Sequence, residues 1–295
     1  MLVKYKNGNA NIELYNDGTR IINYDNKLEL EYPLNIDIRV STKCSFGQRS
    51  NGTYVLCNFC HESAKTDGSE CDYSKLKLVL KDLPPGIELA IGANELTNDL
   101  ISFLRWCQHG RLICNLTINQ GHIWRDYNKI KFCLGQKLIK GLGISYRSGL
   151  KFNIPKDIIN YSNTVIHVIA GIDTFKEVDE LVSKGVKKIL VLGEKDFGFN
   201  SSKVDLNSNN HRQWFWWVSK LFNKFEVVSF DNLALEQLNI KRFFNNNDWE
   251  IFNQGEYSFY INAVEGYFSP SSRNNNKTKW ENTTIKQYFK DNIYI

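Results

Sequence analysis

Between Leu34 and Phe230 two hydrophobic rhythms alternate along the chain. Short apolar runs recur at Leu34, Ile36, Ile38 and Val40, then at Ile87 to Ile91, Leu112 to Ile118, Gly141 to Tyr146, Thr164 to Ile169 and Lys188 to Leu192. Each is short and mostly apolar, as parallel strands buried on both faces are. Between them apolar residues return at helical spacing. Leu76, Leu78, Val79 and Leu80 follow Asp72 or Ser74 as cap and stop before Pro84-Pro85-Gly86, and Leu100, Ile101, Leu104 and Cys107 follow Asn98 as cap. Ile130, Leu134 and Leu138 mark the next helix, and Pro155 opens a short one. The capping box Thr174-x-x-Glu177 precedes Val178, Leu181 and Val182, and His211 to Phe222 carries Trp214, Phe215, Trp217, Val218 and Leu221. Six strand-helix units result, with Lys224 to Phe230 as a further strand. Right-handed crossovers then curl the sheet into an open or closed barrel with ligands at the carboxyl ends of its strands.

The flanks have a different texture. NIELY and RIINY around Asn16-Asp17-Gly18-Thr19 predict a hairpin that packs on the barrel or covers one end of it. Asn245-Asn246-Asn247 breaks the pattern, SFYINAVEGYFS reads as strand-like pieces, and a polar loop with Asn274-Asn275-Asn276 leads into a short helix. Closing the barrel mouth, binding substrate and simple packing are all open roles for this tail. The expected fold is α/β: a partial (β/α)6-type TIM barrel of parallel strands over residues 33–230, preceded by an N-terminal β-hairpin at 1–32 and followed by a C-terminal extension at 231–295.

Composition supports a globule. In 295 residues, 42% are hydrophobic, and 18 Phe, 14 Tyr and 7 Trp supply ample core. A net charge of +5 and a pI near 8.7 suit an anionic, for instance nucleotide-containing, substrate without requiring one. No apolar run reaches the roughly 20 residues that span a bilayer, and the first residues lack a signal-peptide core, so a cytoplasmic protein with no membrane partner is expected. Cysteines there are reduced. Cys107, Cys114 and Cys133 lie in apolar segments and read as core, whereas Cys71 opens a helix and reads as core or surface rather than as a ligand.

The chemistry concentrates in PLNIDIRVSTKCSFGQRSNGTYVLCNFCHESA, residues 33–64. Its strand delivers Cys44 to a loop that returns with Cys57 and Cys60, so three thiols meet at one strand end. Three protein ligands on a four-iron cluster leave one iron open for chemistry, while a Cys-x2-Cys pair with a third cysteine and His61 also describes a structural zinc site. The gap from Ser45 to Leu56 holds twelve residues with Gly47 and Asn51-Gly52 as turn formers. Such an excursion is cheap, since closure entropy grows by only about 0.6 kcal/mol per doubling of loop length.

This stretch resembles the signature of radical S-adenosylmethionine (SAM) enzymes, a Cys-x3-Cys-x2-Cys loop after the first barrel strand, from which the long first gap departs. Phe59 matches the family's aromatic near the adenine, and His61-Glu62-Ser63 fits a variant of the motif. Gly92-Ala93-Asn94-Glu95-Leu96 resembles the Gly-Gly-Glu-Pro segment, which implies that Ala93, Asn94 and Glu95 hold the SAM amino group. Thr117-Ile118-Asn119-Gln120-Gly121 resembles the segment whose Asn faces the cofactor, here Asn119. Ser145 and Arg147 fit positions that reach the ribose or the methionine carboxylate, and Val168-Ile169-Ala170-Gly171, with Ala170, fits the adenine wall. The charged groups of Leu192-Gly193-Glu194-Lys195-Asp196 stand at the end of the sixth strand, within reach of a substrate.

The resemblance implies a [4Fe-4S] cluster on Cys44, Cys57 and Cys60, with S-adenosyl-L-methionine chelating the fourth iron. An external one-electron reductant, flavodoxin- or ferredoxin-like, then drives cleavage to methionine and a 5′-deoxyadenosyl radical that abstracts hydrogen from a substrate. A small molecule, nucleotide, modified base or peptide would serve as that substrate. The rivals are a non-enzymatic zinc-binding or nucleic-acid interaction module, and a hydrolase using Glu95, Lys195 or His122.

Overall fold

A computed structural model describes residues 1–245 and 257–293. Strands β1 (Val3–Asn7), β2 (Ala10–Leu14) and β3 (Arg20–Asn23) pair antiparallel in sequence order. The predicted hairpin is β2–β3, and β1 adds a third strand to it. Arg20 forms an ion pair with Glu88, and Asn163 donates its amide to the Asn16 carbonyl oxygen. This small sheet therefore covers the amino ends of the strands that follow.

Those strands are β4 (Asn35–Arg39), β6 (Glu88–Gly92), β7 (Ile113–Asn119), β8 (Gly141–Ser145), β9 (Thr164–Ile169), β10 (Lys188–Leu192), β11 (Val227–Phe230) and β12 (Ser258–Asn262); β5 (Lys43–Gln48) lies in the cysteine loop. With β13 (Tyr267–Ser269) and β14 (Thr278–Lys279) they make one ten-stranded sheet, ordered β11-β10-β9-β8-β7-β6-β4-β12-β13-β14. Every pairing from β11 through β12 is parallel. The sheet is open: β11 and β14 are its edges among the described residues. Residues after 231 contribute to it directly, because β12 pairs with β4 on the side away from β6. Asn246 and Asn247 of the predicted break lie outside the described residues.

The helices are α1 (Tyr73–Leu80), α2 (Asn98–His109), α3 (Tyr127–Gly135), α4 (Lys156–Ile159), α5 (Phe175–Asp179), α6 (Asn209–Trp217), α7 (Asn232–Gln237) and α8 (Ile285–Ile293). Asp72 caps α1, accepting from the backbone N–H of Ser74 and Lys75. The cap of α2 is Thr97 rather than Asn98, since the Thr97 hydroxyl accepts from Leu100 N–H. Leu138, expected at the end of a helix, lies beyond α3 and is buried in the turn before β8. Because strands β4 and β6 to β11 are laid down consecutively in one direction, right-handed crossovers put their connecting helices on one face. That face holds the core, with Ile36, Ile38, Leu89, Ile91, Leu116, Ile144, Val168 and Val191 buried against Leu76, Phe103, Val178 and Trp214. Cys71, Cys107, Cys114 and Cys133 are buried in the same core.

The alternate residues form a second face that carries many polar side chains. Tyr260, Asp37, Ala90 and Asn115 stand in one cross-strand row, Asn262, Arg39, Gly92, Thr117 and Gly143 in the next, and Asn119, Ser145, His167 and Leu190 nearest the carboxyl end. Gly143 makes room for this row, because a Cβ there would stand 2.5 Å from His167 Cε1 and 2.8 Å from Thr117 Oγ1. Strands far apart in the sheet approach across this face: Lys195, just past β10, donates to Ser272 Oγ, just past β13, at 3.1 Å. Among the described residues no helix is long and apolar enough to cross a membrane.

Candidate functional site

The carboxyl end of β4 runs into Cys44 on β5, and the expected loop is an ordered hairpin. Arg49 N–H donates to the Thr53 carbonyl, and Asn51 Oδ1 accepts from Thr53 N–H while Gly52 takes a left-handed φ of 82°. The returning arm brings Cys57 N–H to the Phe46 carbonyl oxygen at 3.4 Å. Gly47 permits the close passage of the chain at Ala64, where a Cβ would stand 2.4 Å from the carbonyl oxygen.

Three other rim segments pin this loop. From the β6 end, Glu95 Oε1 accepts from Ser45 N–H at 2.9 Å. From the β7 end, His122 stacks on Phe46 with centroids 4.6 Å apart and contacts Ser45 Oγ through Nε2 at 3.1 Å; Arg125 donates to the same hydroxyl at 3.0 Å. From the β10 end, Phe199 N–H donates to the Cys60 carbonyl at 3.0 Å, and Gly198 lies so close that a Cβ would stand 2.3 Å from the His61 carbonyl oxygen.

The three thiols share this rim and stand within electrostatic reach of one another. Burial pushes the Cys57 thiol up to about 12, with the Cys60 and Cys44 thiols adding to the rise and Arg147 opposing it. Burial likewise raises Cys44 and Cys60, against backbone N–H groups of Phe46 for the first and of Ala64 and Glu62 for the second. Uncompensated thiols stay protonated until a cation arrives. Among the described residues no three His, Cys, Asp or Glu side chains are gathered tightly enough to hold a single metal ion.

The expected cofactor residues are distributed as follows. The Arg147 guanidinium lies over the Phe59 ring, 4.2 Å from its centroid. Glu95 is 3.7 Å from Arg125, and among the described residues its ion pair and its hydrogen bond both fall on Oε1, which leaves the lone pairs of the other oxygen to a ligand. Asn94 donates to the Ser41 carbonyl at 3.3 Å, and Asn119 Oδ1 accepts from Gly121 N–H at 2.8 Å, capping the turn after β7. Ser145 sits beside Asn119 and His167 on the polar face. Ala93 and Ala170 are buried in the core, as is Val168, so Ile169 is the residue of that segment facing the open side.

Sequence reasoning did not bring out a charged cluster around His61. Arg39 Nε pairs with Glu62 Oε2 at 2.6 Å, His61 Nε2 lies 3.0 Å from Glu62 Oε1, and Lys195 Nζ lies 3.2 Å from His61 Nε2. Burial works against ionised Glu62, but His61, Arg39 and Lys195 together hold its carboxyl below the usual range. His61 itself is pushed down by burial and by Lys195. Asp173 was missed as well. Buried behind Arg147, it accepts from Ile169 and Ser148 N–H groups, and burial raises its carboxyl to about 6. Burial also lowers His167 to about 4. Local sequence does not show that Arg39 and Lys195 join His61 and Glu62, or that Ser148 joins Asp173, since these partners come from other strand ends.

Comparison with known proteins finds no family model that matches this chain and no curated protein that matches it in sequence.

Proposed function

We propose that the chain is a radical SAM enzyme, in which Cys44, Cys57 and Cys60 hold a [4Fe-4S] cluster and the β6, β7 and β8 ends receive S-adenosyl-L-methionine. The observation that carries this reading is that Cys44, buried, and Cys57 and Cys60, half-buried, share the rim at the carboxyl end of the first parallel strand. Two buried polar atoms beside the loop, His122 Nδ1 and Gln120 Oε1, lack hydrogen-bond partners among the described residues. They leave polar capacity for a ligand on that side.

The open sheet is read as an incomplete barrel. Its parallel strands follow one another in a single direction, β12 takes the place beside the first strand, and Lys195 and Ser272 meet across the polar face. On this reading the polar ligand-binding side chains belong to one rim.

When bound, the cluster and SAM supply reductive cleavage of a sulfonium and hydrogen abstraction by the resulting 5′-deoxyadenosyl group. The chain's own residues bind and orient. Glu95 offers its second carboxylate oxygen to the SAM ammonium, while Arg125 and Ser45 N–H fix the first. Arg147, held on Phe59, would present a guanidinium to a carboxylate, and Phe59 would lie near the adenine. An external one-electron reductant would approach the rim from solvent.

Anaerobic reconstitution with iron and sulfide tests this. A brown protein that releases 5′-deoxyadenosine on reduction, with both properties lost in Cys57→Ala, is the expected result. A colourless protein holding one zinc, or cleavage fully retained in Cys57→Ala, would refute it.

A further inference from the structure

A cavity of about 870 Å³ opens at the same rim, between the end of β4, the loop after β10 and the segment joining β13 to β14. That volume lies in the range of small-molecule sites, about 300–1,000 Å³. His61 and Glu62, next to Cys60, form one wall; Tyr260 and Tyr267 form another.

The acids of this cavity are already engaged. Glu62 pairs with Arg39, Asp196 accepts from Ser202 N–H, and Glu265 accepts from the Asn262 amide at 3.1 Å and faces Arg39 at 3.8 Å. The cations Lys65, Arg273 and Lys277 line the cavity and make no ion pair among the described residues. Lys277 lies over the Tyr267 ring at 4.7 Å, a contact that positions the ammonium without consuming its donors. Two turns build the cationic segment: Arg273 N–H donates to Ser271 Oγ, and Asn276 N–H to Asn274 Oδ1.

We propose that this cavity binds a small phosphorylated molecule, with Lys65, Arg273 and Lys277 around the phosphate and the two tyrosines bounding the rest of the ligand. A phosphate monoester, with nearly two negative charges and three acceptor oxygens, matches three uncommitted cations where a single carboxylate would leave charge uncompensated. Binding stands on the cavity alone. In naming the substrate class of the reaction at the adjoining cysteines, the proposal rests on the reading given above.

The test uses the full, iron-free chain, so that failure of the cluster assignment does not affect it. Inorganic phosphate, AMP and ribose 5-phosphate are titrated by calorimetry, with adenosine as the uncharged control. At least one of the phosphates binds, adenosine binds at least about tenfold more weakly than AMP, and Arg273→Gln and Lys277→Gln each weaken phosphate-ligand binding about tenfold. Lys75→Gln, on α1, leaves it unchanged. Raising salt weakens it, as for exposed cations. Unchanged thermal midpoints show that the variants fold. The proposal is overturned if no phosphate binds at millimolar concentration, if adenosine binds as well as AMP, or if folded variants keep wild-type affinity. A short RNA that binds far more tightly than every small phosphate would also overturn it, in favour of a nucleic-acid surface.

Discussion

The backbone N–H of Cys57 donates to the Phe46 carbonyl oxygen at 3.4 Å, so the twelve residues between Cys44 and Cys57 fold back on themselves and return the chain to the strand end. A long first gap is thereby compatible with three thiols at one rim, because the excess chain is absorbed in a hairpin whose tip is exposed.

The neck and the tip should respond differently to change. Replacing Arg49 to Thr53 by Asn-Gly, with the neck retained, is expected to leave iron per chain after reconstitution and the thermal midpoint nearly unchanged. Gly47→Ala is expected to lower both, since its Cβ would collide with the Ala64 carbonyl oxygen. A shortened tip that abolished iron binding would contradict this view of the insertion.

Gly198 offers a second probe, from the opposite side of the loop. Gly198→Ala combines a left-handed φ of 64° with a Cβ 2.3 Å from the His61 carbonyl oxygen. A loss of about 1–3 kcal/mol in a urea titration is expected, together with weaker iron retention, because the Cys57–Cys60 turn must shift.

The raised thiols predict slow alkylation of the iron-free protein. At pH 7 to 8, iodoacetamide should modify Cys57 far more slowly than an exposed cysteine, and the rate should climb as pH approaches about 12. Arg147→Gln removes a cation that favours the thiolate and should slow the reaction further, as read by mass spectrometry of the Cys57 peptide. Iron loading should release protons and proceed better at about pH 8.5 than at about pH 7.

Two buried groups have opposing effects on stability between about pH 4 and pH 6. Asp173, raised to about 6, favours the folded state at low pH, and that contribution is lost as pH rises from the ordinary carboxyl value of 3.8 through 6. His167, lowered to about 4, favours the folded state at higher pH, and that contribution is lost as pH falls from 6.5 through 4. Their slopes largely cancel in the wild type. His167→Gln should therefore lose stability as pH rises through this window, relative to wild type. Asp173→Asn, although weakened overall by an imperfect acceptor for two N–H groups, should lose stability as pH falls. Parallel urea curves at all pH values for the three proteins would exclude both assignments.

How far the sequence could be read depended on the range of the interaction. Strand β9 lies at Thr164–Ile169, as its apolar run indicates, because alternation on a buried sheet is a local signal. The cap of α2 shifted by one residue, from Asn98 to Thr97, since two adjacent capping side chains look equivalent until the chain direction is fixed. The stacking of Phe46 on His122 and the pairing of Arg39 with Glu62 were invisible, because they join segments whose approach is set by the sheet and by the loop that crosses it.

The sequence by itself determined the alternation of strand and helix and the presence of three cysteines after the first strand, for these follow from hydrophobic period and residue spacing along the chain. Only the tertiary structure decided that the sheet stays open, that β12 from beyond residue 231 pairs with β4, and that the rim is locked from the β6, β7 and β10 ends. Which distant segment a strand pairs with leaves no trace in local sequence, because the pairing hydrogen bonds are made by backbone groups that every residue carries.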